Sequence, residues 1–184
     1  MTQDKKRNRA SNRVKNFDYS SPGFYFLTIC TDNRFHLFGK IVRGQMRLNR
    51  YGEIASEEWL KTEMLRENVR LDEFVIMPDH VHAIIQLIDT EHDEPHRRGT
   101  ARRAPASIEY TQFEQFGKPT KNSIPTIVRS YKSAVTRKIN ICHGRPGNKI
   151  WQRNYYERII REETSLNRIR EYIRKNPENW KSPF

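Results

Sequence analysis

The sequence predicts an α+β fold, an antiparallel sheet covered by helices. Three observations carry this. Short apolar runs rich in β-formers recur along the chain, capped helical stripes lie between them, and most consecutive strands can pair antiparallel. At 184 residues the chain is long enough to bury a core as one domain. A hydrophobic fraction of 35% separates it from disordered chains and leaves a very polar surface.

Residues 1–20 read as a basic N-terminal arm, opening MTQDKKRNRASNRVKN. FYFLTICT, residues 24–31, is apolar on both faces, which marks a central strand. Residues 36–48 read as a hairpin turning at Arg43-Gly44. Tyr51, Ile54, Ala55, Trp59 and Met64 approximate helical spacing and predict a helix over residues 52–67. Two strands follow at 71–77 and 80–88, separated by Pro78-Asp79. Residues 89–122 show mixed charge and little periodicity, and read as a long exposed insertion. Asn122 or Ser123 can cap a second helix with Pro125 in its first turn. Its apolar stripe is Ile124, Ile127, Val128, Tyr131, Val135 and Ile139. HGRPGN is a loop, and IWQRNYYERII, residues 150–160, reads as a strand. A last helix starts near Thr164 or Ser165, carries Leu166, Ile169, Tyr172 and Ile173 on one face, and stops at Pro177. This order suits a ferredoxin-like sandwich over residues 21–178, followed by a tail at 179–184.

Lys and Arg total 34 against 22 Asp and Glu, a net charge of +12. Such an excess points to a polyanion, most often nucleic acid. No acid interrupts the run from Lys118 to Arg153. Within it Arg129, Lys132, Arg137, Lys138, Lys149 and Arg153 are candidate phosphate contacts. The HRR and ARR clusters of the insertion can add to them, or belong to a solvated loop. Trp151, Tyr155 and Tyr156 can stack unpaired bases. Trp151 and Tyr155 share a strand face that Tyr156 does not, and that face can equally be the core. No run approaches the roughly 18 apolar residues of a membrane span, and no apolar stretch behind the basic N-terminus suits a signal peptide. Cys30 and Cys142 have neither zinc nor redox spacing, and Cys30 reads as core. The expected location is the cytoplasm.

FVIMPDHVHAIIQL, residues 74–87, sets two histidines into an oily strand. Alternation points His80 and His82 the same way, about 7 Å apart along the strand. Val81, Ala83, Ile85 and Leu87 point oppositely, into the core. Two imidazoles projecting together can ligate one metal ion, although such pairs also arise by chance. On the last helix Tyr172 and Asn176 are four apart and share a face. An amide oxygen suits Mg²⁺ or Mn²⁺, and a hydroxyl beside it can attack phosphorus. The competing reading makes Tyr172 one more aromatic in a core stripe.

PDHVH on an internal strand, W-x-x-x-Y-Y at 151–156 and a helix bearing Y-I-x-x-N-P at 172–177 together resemble the single-tyrosine HUH transposases. The letters stand for His, hydrophobic, His. More narrowly, the chain is similar to their REP-associated branch, the RAYT proteins. FYFLTICTDNRFHLFG and WQRNYYERIIR support the likeness, which covers residues 20–178. The resemblance implies His80, His82 and Asn176 as ligands of Mg²⁺ or Mn²⁺, and Tyr172 as the nucleophile. Many relatives have Gln at the Asn176 position. Tyr155 and Tyr156 compete for the nucleophile's role. Tyr172 is favoured because it shares a face with Asn176 and because the family's tyrosine sits on this helix. The chain departs from the family in its 89–122 insertion and at Arg158, where relatives often have His.

The implied activity is cleavage and rejoining of single-stranded DNA at an imperfect REP-type hairpin, through a 5′-phosphotyrosine. Because an ordinary tyrosine hydroxyl titrates near pH ~10, the metal is expected to help mostly from the phosphate side. Asp79 reads either as the residue that orients His80 or as a turn residue after Pro78. The alternative function is a non-catalytic hairpin-binding protein with a relic site, against which the four intact positions argue. An RNA-binding ferredoxin-like domain would present aromatics where this chain has histidines, and a zinc hydrolase lacks a third ligand. The protein is expected to act as a monomer or homodimer near the bacterial nucleoid. The short path from the 150–160 strand to the last helix favours a site completed within one chain. The tail after Asn176 can fold over that site.

Overall fold

A computed structural model describes residues 17–89 and 120–181. The elements are β1 (Gly23–Cys30), β2 (Gly39–Val42), β3 (Gln45–Leu48), α1 (Arg50–Met64), β4 (Val69–Ile76), β5 (His80–Leu87), α2 (Ile124–His143), β6 (Tyr156–Ile160) and α3 (Glu163–Lys175). Four strands make one antiparallel sheet in the order β4-β5-β1-β6, and β2 pairs with β3 alone. This is the α+β, ferredoxin-like arrangement expected from the element order. Most of the expected arm and insertion lies outside the described residues. Phe17 packs against the core and Tyr19 is buried in it.

The two faces of the sheet are covered differently. Val81, Ala83, Ile85 and Leu87 of β5 face α1 and α2, where Trp59, Ile127, Tyr131 and Val135 complete the main core. The opposite face carries His80, His82 and Ile84. Of the described helices α3 lies over it, burying Leu166 and Ile173 against Ile84 and Ile160.

Local chemistry sets the turns and ends. Arg43 and Gly44 both have positive φ, as the tight β2–β3 hairpin requires. Asn49 caps α1 by accepting from the amides of Tyr51 and Gly52. The helix therefore starts two residues before the expected position and ends at Met64, which is 82% exposed rather than part of the stripe. The β4–β5 connection is the two-residue turn Pro78-Asp79, closed by the Met77 amide donating to the His80 carbonyl.

Two expectations need correction. The strand expected over 150–160 is regular only from Tyr156, and Trp151 makes an isolated bridge with Thr31. The reason is Lys132 of α2, whose ammonium donates to the carbonyls of Gln152 and Arg153 and ties the segment to the helix. Cys30 is half-exposed instead of core, and its sulfur accepts from Arg34 Nη1 at 2.9 Å.

Candidate functional site

His80 and His82 stand on neighbouring same-face positions of β5, opposite Cys30 and Thr28 of β1. Both are nearly buried, with ring centroids 4.4 Å apart. His80 Nδ1 lies 2.6 Å from Asp79 Oδ1. A carboxylate only accepts, so Nδ1 carries a proton and Nε2 is the nitrogen left to hold a cation. Asp79 is fully buried, and Arg34 Nε lies 2.7 Å from its Oδ2, a charge contact not aligned as a hydrogen bond. Arg34 and Asn33 both have positive φ, an uncommon backbone for such residues. Asp79 therefore occupies the turn and also orients His80.

His82 Nδ1 lies 2.9 Å from Thr28 Oγ1, and its Nε2 lies 3.0 Å from Tyr172 Oη. Burial first, then the His80 ring and the Arg34 guanidinium, push the His82 imidazole down to about 3. At neutral pH the ring is uncharged. A neutral ring has one lone pair; to hold a cation through Nε2, Nδ1 must carry the proton and donate to Thr28 Oγ1, and Nε2 must release the Tyr172 hydroxyl. Phe26 stacks on His82 with centroids 5.4 Å apart and meets Tyr172 edge-on.

Tyr172 is 49% exposed, so it is not a core aromatic. Asn176 is half-buried at the C-cap of α3, one turn beyond it. Among the described residues, no cluster of three or more His, Cys, Asp or Glu could hold a metal. A cation here would need a further ligand besides the two imidazoles, for which the Asn176 amide oxygen is the candidate. Two imidazoles able to present Nε2 and an amide oxygen are neutral donors that a divalent cation such as Mg²⁺ or Mn²⁺ could accept. Trp180, from the tail, lies 5.6 Å from His80 and 5.7 Å from His36.

The candidate DNA contacts divide between the faces. Arg129, Lys132, Arg137, Lys149 and Arg153 line one groove of about 620 Å³ between α2 and the 149–155 segment. This groove lies on the α2 side of the sheet, away from the histidines. Lys138 is outside it, with Nζ 2.6 Å from Glu58. Tyr155 packs on the α2 face and Trp151 is core. Tyr156 is half-exposed on the histidine face, in the cross-strand row of Thr28 and His82, with its ring edge towards Phe26. Tyr172 sets its hydroxyl on the His82 imidazole, whereas Tyr155 packs on the opposite face of the sheet.

Sequence reasoning missed Thr28, Phe26, Arg34 and Trp180. Alternation along FYFLTICT places Phe26 and Thr28 on one face, but which face the histidines share needs the β1–β5 register. Nothing in the sequence singles out Arg34 or Trp180.

No family model matches the chain. A Haemophilus influenzae (strain Rd) protein whose name assigns no function is 42% identical over 175 residues, 94% of this chain and 89% of its own. Among solved structures, a REP-associated tyrosine transposase bound to a REP hairpin superposes with a TM-score of 0.57 at 16% identity, covering 92% of this chain and 73% of that one. A protein of Deinococcus radiodurans R1, provisionally named a transposase, gives 0.42 at 16% identity, covering 90% and 95%. The 42% relative and the first of these folds together give the conclusion: the chain belongs to the family of that Haemophilus influenzae protein and has a transposase-like fold.

Proposed function

We propose that the protein is a metal-dependent nuclease and strand transferase acting on single-stranded DNA at an imperfect hairpin of REP type. The observation that carries this reading is the 3.0 Å contact between Tyr172 Oη and His82 Nε2, which sets a hydroxyl nucleophile beside two imidazoles. Tyr172 Oη attacks the scissile phosphorus and an oxygen–phosphorus bond forms. The bond to the 3′ oxygen breaks, and that oxygen takes up a proton and leaves as a 3′-hydroxyl. The tyrosine proton passes to solvent. Because the 5′-phosphotyrosine retains the bond energy, a second 3′-hydroxyl can attack it and rejoin strands.

His80, His82 and the Asn176 amide oxygen would hold Mg²⁺ or Mn²⁺. When bound, the ion supplies positive charge to the phosphate oxygens and the leaving oxygen. Asp79 keeps the His80 lone pair on Nε2, and burial keeps His82 uncharged. The net charge of +12 favours a polyanionic substrate. The structural relative bound to a REP hairpin supports this choice of DNA. Such a substrate puts the protein with the bacterial nucleoid in the cytoplasm. Among the described residues, no helix is long and apolar enough to cross a membrane.

The test is a labelled hairpin with single-stranded flanks, incubated with protein and Mn²⁺ and run on a denaturing gel. A protein-sized shift is expected, lost with Tyr172→Phe and with chelator. An adduct that survives Tyr172→Phe but disappears with Tyr156→Phe would move the nucleophile to Tyr156. Hairpin binding without an adduct on any cognate sequence would leave a non-catalytic hairpin-binding protein with a relic site.

A further inference from the structure

The groove on the α2 face has the chemistry of a nucleotide site, and it is remote from the candidate cleavage centre. Its floor is apolar, formed by Val128, Ile150, Trp151 and Tyr155. Ser133, Thr136 and Gln152 on its walls can bond base edges, and Arg129, Arg137, Lys149 and Arg153 stand around it. Among the described residues, no acidic side chain lines it. Its volume of about 620 Å³ is in the usual range of small-ligand pockets. An apolar floor with an aromatic wall, ringed by Arg129, Arg137 and Arg153, complements a planar base between phosphates, while Lys149 already pairs with Asp32 at 2.6 Å. Lys132 is already committed to the carbonyls of Gln152 and Arg153, so it shapes the wall rather than meeting phosphate.

We infer that this groove is a second DNA subsite, which takes one unpaired base of the substrate strand while its arginines hold the adjoining phosphates. The inference deepens the nuclease reading and rests on it for the identity of the strand. The two sites lie on opposite faces of the sheet, joined around the β6 edge. Exposed Arg153 and Asn154 lead from the groove to exposed Tyr156 on the histidine face. Tyr156 and His82 are separated by two strand spacings, about 10 Å. A strand seated in the groove thus reaches Tyr172 within a few nucleotides, and the subsite sets which phosphate arrives there.

The experiment uses Tyr172→Phe protein in chelator, so that binding is read without chemistry. The probe is a hairpin DNA carrying 5-iodouracil at successive positions of its flank, cross-linked by light and mapped by mass spectrometry. One flank position is expected to cross-link to Tyr155. Thr136→Trp, which fills the groove without altering charge, and Arg137→Glu should each lower the yield tenfold or more. Both substitute α2 residues outside the buried stripe, and an unchanged thermal transition checks the fold. Cross-links confined to Tyr156 and the histidine face, no cross-link at any position, or an undiminished yield in both variants would overturn the inference. An adduct formed by wild-type protein without a groove cross-link defeats the subsite alone. A groove cross-link without any adduct defeats the nuclease reading alone.

Discussion

Burial, the His80 ring and the Arg34 guanidinium together hold the His82 imidazole at about 3, well below its ordinary 6.5. A conjugate acid that weak cannot keep a proton at neutral pH, so His82 is a poor general base for Tyr172 and a ready ligand. The same depression is a stability term. Below pH 6.5 the unfolded chain takes up a proton that the folded chain refuses. The contribution is complete above 6.5 and is lost as pH falls towards 3. At about 1.4 kcal/mol per pH unit, moving from pH 6.5 to 4.5 removes about 2–3 kcal/mol. Urea unfolding at pH 7 and 4.5 should show that loss, and His82→Gln should shrink it by the same amount. An equal pH dependence in parent and variant would contradict the assignment. The histidine pair and the face of α3 that carries Tyr172 were legible in the sequence because alternation and helical spacing are local. Thr28 and Phe26 were not, since their place at His82 is a matter of cross-strand register.

The β4 bulge governs how α3 presents its tyrosine. Leu71 and Phe74 pair with Ile85 and Ala83, so β4 spends one extra residue there. The bulge turns both Asp72 and Glu73 towards α3. Arg170 grips Asp72 through Nε and Nη2, and Arg174 Nε meets Glu73 at 2.8 Å. The Arg170 guanidinium holds the Asp72 carboxyl below its usual range. Only Leu166 and Ile173 of α3 are fully buried, together contributing about 3–6 kcal/mol. Hydrophobic burial fixes the helix on the sheet but leaves its rotation weakly held, and the ion pairs aim Tyr172. Asp72→Asn should cost about 1–3 kcal/mol in urea unfolding and slow adduct formation several-fold. Glu73→Gln breaks a more exposed pair and should cost less than about 1 kcal/mol. Equal losses in the two variants would show that the Asp72 clamp has no special role. A periodicity reading does not reveal the bulge, because one inserted residue resembles ordinary irregularity. It shows the α3 stripe but not what orients it.

At the scale of the molecule, the element order was legible because turns, caps and apolar periods agree with one another. The placement of the basic run was not. α2 covers the core face through its stripe of Ile127, Val128, Tyr131, Val135 and Ile139, and the basic run follows it to the face away from the histidines. The tyrosine's own connection is short and clear. β6 ends at Ile160 and α3 begins at Glu163, so the link through Arg161 and Glu162 spans at most about 11 Å. That reach keeps α3 on the sheet to which β6 belongs, where Tyr172 meets His82 of the same chain. Exchange of α3 between two copies would have to open this link and break the Asp72 and Glu73 pairs. Complementation distinguishes the two arrangements. Tyr172→Phe retains the histidines, and a His80→Ala/His82→Ala variant retains the tyrosine. If each site is completed within one chain, an equimolar mixture forms no more adduct than either variant alone. If tyrosine helices are exchanged, half of the randomly refolded dimers are mixed and each regains one complete site of two, so adduct should return to about a quarter of the wild-type level at a fixed total of protein. The mixture must be unfolded and refolded together before the assay, so that slow subunit exchange cannot imitate the first result. The two-residue link and the 3.0 Å contact predict that no adduct returns.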